Sequence, residues 1–191
     1  MQSSAPTLLI VSGAPGSGKT TLARRLAADL HLPLISRDQL KEALADAMGA
    51  RLDVPASKRL GAGSVAALYL VARQLLEARV GLILESNFKR GLSEPELRPL
   101  LASSDPVLIH CSAPDPVVQW RYQERHLRGE RHAAHFDAER AADLAEELSA
   151  GSYRPLDIGI PTLVVDTTDG WRPSYEEILE FAAVSRASVI S

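Results

Sequence analysis

The segment Gly13-Ala14-Pro15-Gly16-Ser17-Gly18-Lys19-Thr20 fits the phosphate-binding pattern G-x-x-x-x-G-K-[S/T] at every fixed position. Its flanks narrow the possible folds further. The apolar run Thr7-Leu8-Leu9-Ile10-Val11 precedes it and reads as a short buried strand. After it, Leu22, Leu26 and Leu30 recur at helical spacing. In a strand, glycine loop and helix of this order, the glycines let successive backbone N–H groups turn inward around phosphate oxygens. The helix start adds the positive end of its dipole. Lys19 can reach the outer phosphates, the Thr20 hydroxyl is placed to ligate Mg²⁺, and Thr21 continues the cradle. A dinucleotide-binding fold competes with this reading, because Asp38 lies at a ribose-binding distance after the loop. The glycines do not spell G-x-G-x-x-G, however, and that fold has no use for Lys19-Thr20. The expected ligand is a nucleoside triphosphate.

At 191 residues the chain is expected to form one domain over 1–191, with a small lid near 114–137. A formal net charge of −3 argues against a protein that coats nucleic acid through bulk electrostatics. Cys111 is the only cysteine, so no internal disulfide can form, and a small buried residue explains it better than a catalytic thiol. The N-terminus lacks the pattern of a signal peptide. The apolar region Val65 to Leu84 is broken by Arg73, Gln74, Glu77 and Arg79, so no membrane span is expected. A cytoplasmic protein is the expectation.

Short apolar runs alternate with helical patterns, which implies an α/β fold: a parallel sheet with helices on both faces. The expected strands are Leu8–Ser12, Pro33–Ser36, Gly81–Ser86, Val107–Cys111 and Thr162–Asp166. Helices are expected near Lys19–Leu30, Arg37–Met48, Ser57–Arg79, Ser93–Leu101, Pro116–Arg128, Ala138–Ala150 and Ser174–Ser185. Gly49 to Leu60 reads as a loop. In open sheets of this kind ligands gather at the carboxyl ends of the strands.

The second strand ends at Ser36-Arg37-Asp38, where Asp38 is a candidate general base toward a substrate hydroxyl. A helix-capping role for Asp38 competes with that reading. Lys41 lies one turn further on the same helix face. The third strand ends at Glu85-Ser86-Asn87, and Glu85 could engage Mg²⁺, act on water or contact the substrate. Asn87 and Lys89 are weaker candidates for holding the acceptor. Arg121, Arg125 and Arg128 share one helix face, and their permanent planar charge suits a transferring phosphoryl group. His126, His132 and His135 invite a zinc reading, but no thiol or acid accompanies them at ligand spacing. The end of the last strand, Asp166-Thr167-Thr168, is a candidate edge for the nucleobase, with Thr168 as the contact.

Together these residues resemble the P-loop kinases of the nucleotide-kinase-like group. The likeness is to the bacterial AAA-type ATP-binding family that includes zeta toxins, chloramphenicol phosphotransferases and the 5′-hydroxyl polynucleotide kinase domain. It runs from about Leu8 to Thr168 and rests on Gly13–Thr20, Arg37-Asp38, Glu85-Ser86-Asn87 and the Arg121/Arg125 pair. The resemblance implies a three-layer fold with five parallel strands in order 2-3-1-4-5, with ATP and Mg²⁺ as cofactors. By the same resemblance Asp38 activates a hydroxyl, and Lys41 stands where the polynucleotide kinase has an Arg that contacts the acceptor's phosphate. The expected activity is γ-phosphate transfer to a hydroxyl of a small molecule. On this reading Lys19, Asp38, Arg121 and Arg125 are catalytic, Thr20 and Glu85 hold the metal, and Lys41, Glu85, Asn87 and Arg128 meet the acceptor. A 5′-hydroxyl polynucleotide kinase and a nucleotide-dependent switch are the alternatives. Aromatic residues make up only 5% of the chain, which leaves few platforms for stacking nucleic acid bases.

Overall fold

The computed structural model describes residues 5–49, 53–128, 132–136 and 141–187. Strands β1 (Thr7–Gly13), β2 (Leu34–Ser36), β3 (Leu82–Glu85), β4 (Asp105–Ser112) and β5 (Thr162–Asp166) form one sheet, in order β2-β3-β1-β4-β5. All four pairings are parallel. This is the expected topology, and the expected strands lie within two residues of the observed ones.

β1 is central and buried along its whole length, as a strand covered on both faces must be. Its side chains alternate between two cores. Leu9 and Val11 pack with Leu22 and Leu26 of α1 (Lys19–Leu30) and Ile178 of α7 (Tyr175–Ala187). Leu8 and Ile10 face Leu68, Tyr69 and Leu76 of α3 (Val54–Glu77) and Leu97 and Leu100 of α4 (Glu94–Ala102). Fully burying each such aliphatic side chain contributes roughly 1.5–3 kcal/mol. A smaller third cluster joins Ala14 of the glycine loop to Val118 and Tyr122 of α5 (Asp115–Leu127), Leu144 of α6 (Ala141–Ser149), and Tyr153. The α5 and α6 region therefore rests on the phosphate loop itself.

The stretch expected as a loop before Ser57 is partly helix. α3 starts at Val54 because the Asp53 side chain accepts a hydrogen bond from the Ala56 amide at 2.7 Å. Pro55 stands in the first helical turn, where a missing N–H costs nothing. A short 3₁₀ turn, Ala133–His135, forms where no element was expected. Residues 129–131, 137 and 138–140 of the expected lid and sixth helix lie outside the described residues.

Candidate active site

Gly13, Gly16 and Gly18 adopt φ values of 147°, 91° and 79°, which side-chain-bearing residues rarely reach. A Cβ on Gly13 would stand 2.4 Å from the Cys111 carbonyl oxygen, and one on Gly16 would stand 2.7 Å from that of Val118. The loop is thus pressed against β4 and α5 with no room for side chains. Ser17 N–H donates to the Ala14 carbonyl at 3.1 Å and closes the turn. Gly18 caps α1 and brings no side chain to the first-turn amides, which suits an anionic ligand there.

Lys19 is buried and donates to the Ala14 carbonyl at 3.3 Å, with Nζ 3.9 Å from Glu85 Oε1. Thr20 Oγ1 donates to the same carboxylate oxygen at 3.1 Å, and Ser36 Oγ donates to the other at 2.5 Å. Hydroxyl and carboxylate oxygens side by side are the hard donors that Mg²⁺ takes. Glycine cradle, uncapped amides and donor set together fit a triphosphate with its cation.

Beside the loop lies a groove of about 490 Å³ containing Gly16, Gly18, Thr21, Arg121 and Arg125. Arg121 Nη2 donates to the Thr167 and Thr168 carbonyls, each at 2.8 Å, so α5 is tied to the loop after β5. Thr167 Oγ1 in turn donates to the Ser17 carbonyl at 2.8 Å. Trp120 and Trp171 stand at the groove's walls. Thr167 belongs to the strand end expected as the nucleobase edge, whereas Trp171 was marked by no local sequence pattern.

A second cleft opens on the other side of Lys19 and Pro15, and there Asp38 and Asn87 meet. Asp38 is in the first turn of α2 (Arg37–Met48), whose N-cap is Ser36. There its charge also complements the positive end of the helix dipole. Arg37 Nη1 donates to Asn87 Oδ1 at 2.8 Å and lies 3.7 Å from Asp38 Oδ1. Sequence reasoning passed over Arg37 as a site residue, although its neighbour was singled out. Glu147 and Tyr153 also line this cleft. Glu147 accepts hydrogen bonds from Lys89 Nζ through one oxygen and from the Tyr153 hydroxyl through the other.

Two expected acceptor contacts are not brought here. Lys41 is only 1% exposed and donates to Ser57 Oγ at 2.8 Å, and Ser57 donates to the Ala134 carbonyl at 2.6 Å. It faces α3 and the 3₁₀ turn rather than the cleft. Arg128 lies on the rim of the nucleotide groove, paired with Glu124 at 3.0 Å. The histidines are likewise engaged elsewhere: His132 Nε2 is 2.9 Å from Asp46 Oδ1, and His135 Nε2 is 2.8 Å from Glu42 Oε1. His126 lies in the last turn of α5.

The model of the AAA domain family matches residues 8–148. Over 95% of this chain and 98% of the other, the fold superposes on a protein from Chloroflexus aurantiacus, provisionally described as a kinase, with TM-score 0.85 and 37% identity. A sugar kinase from Janibacter sp. HTCC2649 shares the fold at TM-score 0.57 and 19% identity, covering 97% of this chain and 96% of that one. A cytidylate kinase of Pyrobaculum islandicum is 52% identical over 42 residues, 22% of this chain and 23% of the relative. The chain thus spans about a quarter of the length of the curated relatives it matches. No helix among the described residues is long and apolar enough to cross a membrane. The chain belongs to the AAA domain family and is built as a P-loop protein of the nucleotide-kinase type.

Proposed function

We propose that the chain is an ATP- and Mg²⁺-dependent phosphotransferase acting on a hydroxyl of a small molecule. The observation that carries this reading is the shared cleft of Asp38, Lys19 and Pro15. A carboxylate lining the same small cleft, about 30 Å³, as the phosphate-loop lysine suits a base for an acceptor hydroxyl.

Bound ATP with Mg²⁺ would supply the γ-phosphoryl group and neutralise part of its charge. Gly13 to Thr20 hold the phosphates through backbone amides, and Thr20 and Glu85 hold the cation. Arg121 and Thr168 border the nucleoside. Asp38 accepts the proton as the acceptor's O–H bond breaks. The acceptor oxygen then bonds to phosphorus while the bond from phosphorus to the bridging oxygen breaks, leaving a nucleoside diphosphate. Lys19, Arg121 and Arg125 stabilise the charge spread over the transferring group. Asn87 and Arg37 orient the acceptor beside Asp38.

Replacing Asp38 with Asn should lower phosphoryl transfer by roughly 10²–10⁴-fold. Nucleotide affinity, followed by calorimetry, should change little. Transfer at the wild-type rate in that variant would remove Asp38 from the role of base.

A further inference from the structure

The charges around the acceptor cleft point to what it accepts. Among the described residues, the cations at this cleft and at the recess beside it each have a carboxylate next to them. Lys19 lies 3.9 Å from Glu85, Arg37 lies 3.7 Å from Asp38, and Lys89 donates to Glu147. Glu147 is further fixed by the Tyr153 hydroxyl. The next cation along α2, Lys41, is buried away under Ser57.

An acceptor bearing a phosphate or carboxylate would therefore have to break one of these pairs and leave a carboxylate facing another anion. Arg37 and Asn87 also border a neighbouring recess of about 270 Å³, whose lining joins Val65, Leu68, Tyr69 and Phe88 to Lys89 and Glu96. Its apolar wall offers contact to an uncharged body beside the paired charges.

Resting on the kinase reading above, we propose that the acceptor is an uncharged hydroxylated small molecule and that the Lys89–Glu147 pair excludes anionic ones. Glu147 orients Lys89 and removes it as an anion clamp. The pair is a specificity element, not part of the phosphoryl-transfer machinery.

The test uses the full chain with ATP and Mg²⁺ and matched acceptors: cytidine and cytidine 5′-monophosphate, glucose and gluconate, inositol and an inositol phosphate. Transfer should favour the neutral member in kcat/KM by at least about tenfold, the equivalent of one like-charge contact. Preference for an anionic member overturns the inference and leaves the kinase reading intact. Transfer to none of them, with ATP still bound, overturns both. In Glu147→Gln, which releases Lys89, the ratio of neutral to anionic kcat/KM should fall at least threefold. Lys89→Ala, which removes the cation, should keep the neutral preference. An unchanged ratio in Glu147→Gln, or a lost preference in Lys89→Ala, removes the pair as the selecting element.

Discussion

Glu85 and Asp38 follow neighbouring strands, yet their surroundings prepare them for different chemistry. Glu85 is 2% exposed and receives hydrogen bonds from Thr20 and Ser36. Asp38 lines the small cleft beside the loop, its side chain about a quarter exposed. A carboxylate held by hydroxyls suits a cation, whereas one facing a cleft can take a proton from a ligand. A third titratable group, His110, lies near the back of the glycine loop, in register with Ser12 of β1. Burial pushes its imidazole down to about 4 from the ordinary 6.5, so the folded protein keeps it neutral. The unfolded chain binds that proton first, so stability is complete above pH 6.5 and falls as pH drops toward 4. The loss from this one group should approach about 3 kcal/mol at the low end. Thermal unfolding at pH 7 and pH 4.5 should show a smaller acid loss in His110→Asn than in wild type. Equal losses would mean that His110 does not titrate this way.

At the level of elements, the start of α3 links local sequence to the lid. Asp53 caps the helix through the Ala56 amide. The first turns of that helix carry Ser57, which accepts from Lys41 and donates to Ala134 in the 3₁₀ turn. Replacing Asp53 with Ala should cost about 1 kcal/mol of stability, read from a denaturant midpoint at unchanged slope. A neutral substitution would mean that the Pro55 turn alone starts the helix. This element also shows why parts of the chain are hard to read. Pro55 looks like a breaker until its place in the first turn is known, and Lys41 shares a helix face with Asp38 until α3 is seen to cover it. The glycine loop and the strands were legible, and Asp38, Arg121 and Arg125 could be named as candidates, because each rests on local spacing. Glu147 and Tyr153 were not, since they reach the cleft from the α6 region, far along the chain from Lys89.

Across the whole molecule, the parallel order β2-β3-β1-β4-β5 brings every strand's carboxyl end to one edge. Gly13, Ser36, Glu85 and Ser112 end their strands there, and the loop after β5 supplies Thr167 and Thr168. Two cores of aliphatic side chains hold the sheet rigid, while the smaller cluster around Ala14, Val118 and Tyr122 seats the α5 and α6 region on the phosphate loop. On the proposed reading this edge positions two ligands side by side, with the glycine loop between nucleotide groove and acceptor cleft. The direct test of transfer between them follows ³²P from γ-labelled ATP through the full chain with a panel of neutral hydroxyl acceptors. The account predicts label in an acid-stable phosphoester product, with release as inorganic phosphate a minor path. Label recovered only as inorganic phosphate, whatever acceptor is present, would contradict it and leave a nucleotide-hydrolysing switch in its place.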